Sequence, residues 1–232
     1  FEARAADVDE AAIKAVSTDL DPVALAVRLA EAKALAVSRD DPDAWVLGSD
    51  QTLAFDGGLV SKAVSIAAAR DRLRAMRGKT HTLHSGAALA TKGEIVWSGA
   101  DTARMKMRDF SDAFLDAYLA VEGEALLSCV GSYRLEGMGS QLFEAVEGDF
   151  FTVLGLPLWP VLAELRAALQ GRAVTEVGAG LLHGTAGGRQ RAERQHQARG
   201  HAGRLPGEIL NHASSPVPAP AWSCRAWSTP AW

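Results

Sequence analysis

The sequence predicts an α/β fold built on a mixed sheet flanked by helices. Some segments carry apolar residues at the 3–4 spacing of an amphipathic helix, whereas others are continuously apolar or alternate apolar with polar residues, as strands do. The connections between these segments are of both hairpin and crossover length, which indicates antiparallel and parallel neighbours in one sheet.

The first strong elements are a helix over residues 22–37 and a short buried strand over residues 44–48. Pro22 suits the first turn of the helix, and an apolar stripe runs along it. The strand is predicted to end at Gly48, which places the carboxylate of Asp50 just beyond it.

A second helix is predicted over residues 63–77, because Gly78 is placed to end it. The "TKG" turn after it separates two apolar runs and indicates a hairpin. Alternating residues predict a further strand at 101–109 with one wet face. The remaining predicted elements are a helix at 112–121 capped by Ser111, a strand at 125–135, a short helix at 141–148 and a last helix at 156–171.

Composition divides the chain into a body, residues 1–173, and a tail, residues 174–232. The tail is rich in Gly, Ala, Arg, His, Pro and Trp and lacks periodicity, so we expect either disorder or translation out of frame. Because the whole chain carries a net charge of −4 and the tail holds six Arg and three Glu, the body carries −7. An acidic body argues against direct nucleic-acid binding.

The sequence also argues against membrane and disulfide-rich classes of protein. No apolar run approaches the roughly 20 residues that span a bilayer. Cys129 and Cys224 are far apart, so a cytoplasmic location without a disulfide framework is expected. The N-terminus has neither an initiating Met nor a signal peptide, and we expect it to lie inside a longer protein.

Asp50 is the candidate site residue that the pattern itself indicates, because open α/β sheets gather ligands beyond their strand ends. Gln51 is adjacent, Lys33 and Lys62 lie in neighbouring elements, and Glu10 adds a second carboxylate in "DVDE". Carboxylates together with lysines suit a phosphate substrate carried with a divalent cation. Spacing leaves the alternative open that Asp50, Lys33 and "DVDE" are ordinary solvated charges.

Three weaker signals favour structural interpretations. His81 and His84 are three residues apart on a predicted strand, so their side chains point to opposite faces and do not form a zinc site. "GMGS" is only a fragment of a dinucleotide fingerprint. Cys129 is most simply a small buried hydrophobe.

Seven segments, in order, resemble the Maf family, the septum-formation-inhibitor-like nucleoside triphosphate pyrophosphatases. They span residues 7–158: "DVDE", "RLAEAKA", "VLGSDQ", "LVSK", "RGKTHTLHSG", "GSYRLEGMGSQLFEAVEGD" and "LGLPL". The resemblance implies a strongly twisted sheet with two lobes around a nucleotide cleft. It also implies hydrolysis of a nucleoside triphosphate to its monophosphate and pyrophosphate, with Mg²⁺ or Mn²⁺.

The resemblance also implies a role for each candidate residue. Asp50 corresponds to the family's proton acceptor and would activate the attacking water. Glu10 corresponds to an acid near the metal, with Asp50 as the second metal ligand. Lys33 and Lys62 correspond to lysines that contact the phosphates. Gln51 and Glu136 correspond to positions that select the base.

Gln51 in "SDQ" and Glu136 in "LEG" look most like the branch that acts on 7-methyl-GTP, whereas the dTTP/UTP branch tends to carry Gln near the second position. A carboxylate at Glu136 can accept hydrogen bonds from the N1–H and the exocyclic amine of guanine. Thymine and uracil offer one such donor, so a modified purine is favoured.

The sequence departs from the family pattern at two points. It lacks the Ser-x-Ser-x-x-Arg phosphate-binding segment, and the family's Lys-Pro is Lys62-Ala63 here. Because bidentate Arg–phosphate contacts are strong, weak activity of this chain is expected. Two alternatives to an enzyme therefore stay open: a non-catalytic nucleotide-binding regulator of cell division, and an inactive truncated product. A homodimer is a further implication of the family.

Overall fold

The computed structural model describes residues 2–168 and 170. Five α-helices and five strands have defined limits within this range. The chain is helical again over residues 158–168, after the last of these elements. In chain order the elements are α1 (Glu10–Val16), α2 (Pro22–Asp40), β1 (Val46–Phe55), β2 (Gly58–Val60), α3 (Ile66–Met76), β3 (Thr80–Thr91), β4 (Glu94–Met107), α4 (Asp112–Glu122), β5 (Phe143–Glu147) and α5 (Phe150–Val153).

The five strands form one sheet in the order β2-β1-β3-β4-β5. The long central strands set its register, with Asp50 opposite Gly86 and Gly86 opposite Ala100. The predicted α/β class is confirmed, but each pairing between these described strands is antiparallel. The sequence had predicted a mixed sheet because connection length alone does not say which strands become neighbours.

Two hydrophobic clusters lie on the sheet. The smaller joins α2 to β1, β3 and β4 and is made largely of alanine: Ala30, Ala34, Ala88 and Ala90, with Val46 and Ile95 beside them. The larger joins the sheet to α3, α4 and α5, and its fully buried members include Leu53, Leu73, Met76, Leu83, Met105, Met107, Leu115, Leu126 and Leu142. The small side chains of the first cluster allow α2 to approach the strands closely.

Helix caps agree with the sequence. Asp21, Ser65 and Ser111 each accept a backbone N–H at the start of α2, α3 and α4, and Pro22 occupies the first turn of α2. Gly78 follows α3 with a φ of +69°, a conformation that suits glycine. These helices begin and end within a few residues of their predicted limits.

The strand limits differ more. β1 continues through Gly48 to Phe55, so the prediction that it ends at Gly48 is wrong, and Asp50 lies within the strand. The predicted hairpin is confirmed, but its second strand is continuous with the strand predicted at 101–109. A glycine inside a strand often marks a site where another backbone approaches closely, so it does not by itself indicate the end of the strand.

Two predictions in the C-terminal part are wrong. Residues 125–135 are not a strand: a 3-10 helix covers Gly123–Ser128, and Ser132 has a φ of +57° that turns the chain. Residues 141–148 are not a helix, because β5 pairs with β4 at this point. Glu144 and Glu147 of β5 form ion pairs with Lys106 and Arg104 of β4, which match opposite charges across the two strands.

The described residues up to Leu165 belong to one compact unit, and Arg166 begins a second unit. The predicted tail, residues 174–232, lies outside the described residues. Within residues 2–168 and 170, no helix combines the length and apolarity that crossing a bilayer requires.

Candidate functional site

The candidate site is built on the close contact between α2 and β1. A Cβ atom at Gly48 would lie 2.3 Å from the carbonyl oxygen of Ala30, and one at Gly86 would lie 2.4 Å from the carbonyl carbon of Ala26. These two glycines therefore let the helix backbone rest on the strands, with fully buried Ala30 and Ala34 at the contact. Lys33, on the same helix, is carried to Asp50 on β1.

Lys33 bridges two carboxylates. Its Nζ lies 2.5 Å from Oδ1 of Asp50 and 2.8 Å from Oε1 of Glu10. The side chains of Asp50 and Lys33 are 12% and 21% exposed, so their charges are largely removed from solvent. The structure thus brings together three of the six predicted site residues, which come from α1, α2 and β1.

Local structure places Glu10. Asp9 caps α1 by accepting the N–H of Ala12, which puts Glu10 in the first turn, where a carboxylate is stabilised by the helix dipole. Lys14, one turn later, lies 3.2 Å from Oε2 of Glu10. The sequence pattern did not predict α1.

The electrostatics of the cluster follow from burial and mutual charge. Burial raises the pKa of Asp50, and the opposing charge and hydrogen bond of Lys33 do not fully offset that rise. Burial acts to lower the pKa of Lys33, but Asp50 and Glu10 outweigh it and the pKa is raised. For Glu10, burial acts to raise the pKa, while Lys33 and Lys14 together bring it below its ordinary value. Asp50 is thus a carboxylate of increased basicity beside a firmly charged lysine.

The cluster fits a divalent cation that arrives with a phosphate group. Among residues 2–168 and 170, no group of three or more His, Cys, Asp or Glu side chains is arranged to hold a metal ion alone. Glu10 and Asp50 nevertheless bring two carboxylates to one lysine. Mg²⁺ is commonly held by one or two carboxylates, with substrate phosphate oxygens and water completing its coordination.

Gln51 lies on the other face of β1. Its Nε2 is within hydrogen-bond distance of Oγ of Ser85 (2.9 Å) and of the carbonyl oxygens of Thr152 (3.0 Å) and Val153 (3.1 Å). Ser49, two residues earlier and on the same face, donates to the carbonyl of Gly155 at 2.6 Å. These contacts attach α5 and the following turn to β1, and they direct the amide group of Gln51 away from the Lys33 cluster.

Lys62 and Glu136 lie outside the Lys33 cluster. Lys62 is exposed, follows β2 and forms no ion pair within the described part of the chain. The Nε of Arg134 lies 3.1 Å from Oε1 of Glu136. Burial raises the pKa of the half-buried Cys129 thiol, and the hydrogen bond of Ser128 opposes that rise. The charge of Glu136 adds to the rise, and the charges of Arg134 and Lys62 oppose it.

The two histidines are structural, as the sequence predicted. Nε2 of His81 lies 2.6 Å from the hydroxyl of Tyr133 on the face of the larger core. His84 contacts Thr82 and Thr102 on the opposite face. "GMGS" belongs to a 3-10 helix and its approach, not to a strand-to-helix turn.

Three residues that support the site from behind could not be recognised in the sequence. The side chains of Ser85, Thr152 and Glu122 are buried. Ser85 bonds to Gln51 and donates to the carbonyl of Thr152, and Glu122 accepts the N–H of Met138 in the turn that carries Glu136. Only their polarity within apolar surroundings distinguishes them in the sequence, and many structural residues share that signal.

Comparison with known proteins finds similarity over the same part of the chain. The sequence profile of the Maf-like protein family matches residues 1–168. A nucleoside triphosphate pyrophosphatase of Maricaulis maris is 53% identical over 166 residues, which cover 72% of this chain and 85% of that protein. A 7-methyl-GTP pyrophosphatase of Rhizobium meliloti is 45% identical over 168 residues, covering 72% and 84%. A nucleoside triphosphate pyrophosphatase of Caulobacter vibrioides is 48% identical over the same share of each chain.

Proposed function

The chain belongs to the Maf-like protein family, and on that premise we propose that it is a nucleoside triphosphate pyrophosphatase whose general base is Asp50. It hydrolyses a nucleoside triphosphate to the monophosphate and pyrophosphate, as the names of its relatives indicate. The roles proposed for individual residues rest on one observation, the buried cluster of Asp50, Lys33 and Glu10.

Asp50 suits the role of proton acceptor. Oδ1 is bonded to Lys33, and among the described residues Oδ2 has no hydrogen-bond partner, so Oδ2 is available to a water molecule. Because burial raises the pKa of Asp50, its carboxylate is a stronger base than an exposed aspartate. Water loses a proton to Oδ2, its oxygen bonds to the α-phosphorus, and the bond from that phosphorus to the bridging oxygen breaks. Pyrophosphate leaves with the electron pair of that bond.

The neighbouring charges suit the triphosphate. Lys33 favours the ionised form of Asp50 while the site holds no substrate, and its flexible ammonium group can turn to a phosphate oxygen when one arrives. Glu10 and Asp50 would hold Mg²⁺ or Mn²⁺, which neutralises negative charge on the triphosphate. Lys62, exposed and unpaired in the described structure, is a second candidate for phosphate contact.

A guanine-type base, as in 7-methyl-GTP, is the substrate that the predicted base-selecting residues favour. Glu136 is 30% exposed and supplies carboxylate oxygens for the N1–H and exocyclic amine of guanine. The amide nitrogen of Gln51 is engaged by α5, so Gln51 contributes to selection through its remaining oxygen or by positioning α5. Several relatives, among them the protein of Rhizobium meliloti, carry the name 7-methyl-GTP pyrophosphatase.

The biological role that follows is removal of methylated or otherwise modified nucleotides before their incorporation into nucleic acid. The proposal places the chain in the cytoplasm, where the nucleotide pool is, and includes a homodimer as the assembly. Its ligand is the free nucleotide and not a nucleic acid, in keeping with the charge of −7 over residues 1–173.

A nucleotide panel tests this function. Purified chain is incubated with ATP, GTP, 7-methyl-GTP, UTP and dTTP in the presence of Mg²⁺ or Mn²⁺, and pyrophosphate and monophosphate are quantified separately. Equal amounts of the two products, with the highest kcat/KM for 7-methyl-GTP, are expected. Release of inorganic phosphate without pyrophosphate, or nucleotide binding without turnover, would contradict the proposed reaction.

A further inference from the structure

A second group of charged residues, built on the C-terminal end of α4, holds the turn that carries Glu136. Tyr118 and Glu122 are one helical turn apart on α4, and both contact this turn. The hydroxyl of Tyr118 accepts the backbone N–H of Arg134 at 3.4 Å. Oε1 of Glu122 accepts the backbone N–H of Met138 at 2.8 Å. One face of the helix therefore fixes the two ends of residues 134–138.

The fit between Glu122 and the turn is close. The side chain of Glu122 is only 6% exposed, although it carries a carboxylate. A Cβ atom at Gly137 would lie 2.6 Å from Oε1 of Glu122, so the turn lies directly against the carboxylate, which would have to shift to admit a larger residue. The N–H of Gly137 also bonds to the carbonyl of Arg134 at 3.2 Å, which closes the turn with Glu136 at its tip.

Arg134 connects the buried carboxylate to the exposed one. Its Nη1 lies 3.4 Å from Oε2 of Glu122, and its Nε lies 3.1 Å from Oε1 of Glu136. A guanidinium group is planar and presents its donors in fixed directions, so anchoring one edge on Glu122 restricts the direction of the other. Oε1 of Glu136 is thereby held, and Oε2 is left as an acceptor.

We propose that Arg134 and Glu122 are positioning residues that orient the Glu136 carboxylate for selection of the nucleotide base. The inference rests on the base-selecting role of Glu136 in the proposed function. A carboxylate with one oxygen fixed keeps one orientation. That orientation favours a base edge that offers adjacent hydrogen-bond donors. A carboxylate that rotates freely accepts any single donor and discriminates less.

The test is base preference in Arg134→Gln, Glu122→Gln and Glu136→Gln. Preference is measured as the ratio of kcat/KM for 7-methyl-GTP to that for UTP. It is measured again as the dissociation constant of the α,β-methylene analogue of UTP divided by that of the α,β-methylene analogue of 7-methyl-GTP, so that binding is followed even without turnover and both ratios fall when preference is lost. Arg70→Met is the matched control, since Arg70 also forms an ion pair with α4, through Asp116, but does not contact the turn.

Arg134→Gln is expected to lower both ratios about tenfold, the effect of misdirecting one charge-assisted hydrogen bond, with kcat for UTP unchanged. Glu122→Gln is expected to act in the same direction. Arg134→Gln/Glu136→Gln is expected to be no worse than Glu136→Gln alone, because both changes act through one carboxylate.

Ratios within twofold of wild type in Arg134→Gln, with lower ratios in Glu136→Gln, would overturn the positioning role and leave the proposed function intact. Unchanged ratios in Glu136→Gln would remove both the base-selecting role and this inference. Lower binding ratios without turnover in any variant would support the inference while contradicting the proposed hydrolysis.

Discussion

Asp50 and Gln51 are adjacent in sequence, yet their side chains lie on opposite faces of β1. Asp50 contacts Lys33 of α2 on one face, and Gln51 contacts Ser85 and the backbone of α5 on the other. Successive side chains along a strand point to opposite faces of the sheet, so two adjacent residues are separated in this way. We therefore expect the pair to have two separable roles: Asp50 as the proposed general base, and Gln51 as the attachment of α5 to β1.

The Asp50→Asn variant is expected to lose pyrophosphate release by about 10²- to 10⁴-fold, the usual contribution of a general base. Its stability in urea is expected to be close to that of wild type, because burial opposes the charge that the substitution removes. Asp56→Asn is the control, at an exposed turn position just after the same strand. Full activity in Asp50→Asn would exclude Asp50 as the base.

Gln51 variants are expected to affect stability according to the charge they introduce. Gln51→Glu places a carboxylate oxygen against the carbonyl oxygens of Thr152 and Val153, where the amide nitrogen now donates. Loss of these bonds is expected to cost about 1–3 kcal/mol. Gln51→Met keeps the length without the repulsion and is expected to be more stable than Gln51→Glu in urea denaturation. Equal stability of the two would show that the amide nitrogen does not hold α5.

Lys33 is expected to control the acid limb of the pH–rate profile. Asp50 must be ionised to act as a base, and Lys33 is the main influence that lowers its pKa against the effect of burial. In Lys33→Met the pKa of Asp50 rises further, so kcat/KM is lost at a higher pH than in wild type. Lys14→Met, which removes a lysine whose ion pair within the described residues is with Glu10, serves as the control and is expected to shift the limb less. An unshifted limb in Lys33→Met would mean that a group other than Asp50 titrates.

The sequence indicated candidate residues for the site, and it did not indicate how they are arranged. The segment "VLGSDQ" identified Asp50, and charge type identified Lys33 and Glu10 as its companions. Their convergence depends on α2 resting on β1, which is a tertiary contact that no local pattern specifies. For the same reason Gly48 was interpreted as a strand end, although its role is to admit the helix backbone.

The fold was predictable where local sequence signals are strong. It was not predictable where pairing with a distant segment determines the local structure. Capping residues and 3–4 spacing located α2, α3 and α4. β5 was mistaken for a helix because its sequence has no strand alternation, and its ion pairs with Arg104 and Lys106 exist only once β4 lies beside it. Residues 125–135 are apolar enough for a strand, but the turn at Ser132 interrupts them.

Buried His81 is expected to make the protein less stable in mild acid. Burial lowers its pKa from 6.5 to about 4, so between these values the unfolded chain binds a proton that the folded chain does not. The free energy of unfolding therefore falls as pH decreases from 6.5 to about 4, by up to about 3 kcal/mol. Urea denaturation across this range is expected to show a flatter dependence in His81→Phe/Tyr133→Phe, which removes both hydrogen-bond partners. Tyr133→Phe alone keeps the histidine and is expected to keep the wild-type slope; equal slopes in all three proteins would contradict the assignment.

Gly48 is expected to couple the packing of α2 to activity. In Gly48→Ala the new Cβ would lie 2.3 Å from the carbonyl oxygen of Ala30 and 2.7 Å from the backbone nitrogen of Ala34, so α2 must move away from β1. Overpacking of this kind is expected to cost about 1–3 kcal/mol of stability. Because α2 carries Lys33, the same movement separates Lys33 from Asp50 and lowers kcat/KM even at temperatures where the variant stays folded.

Gly58→Ala is the matched control for that variant, since the nearest atom to its Cβ is the carbonyl oxygen of Phe55 at 4.0 Å. It lies in β2, outside the contact with α2, and is expected to retain stability and pyrophosphate release. The two variants are compared by urea denaturation and by activity at a temperature well below both transitions. If Gly48→Ala matched Gly58→Ala in both measurements, the close approach of α2 to β1 would not be what positions Lys33 against Asp50.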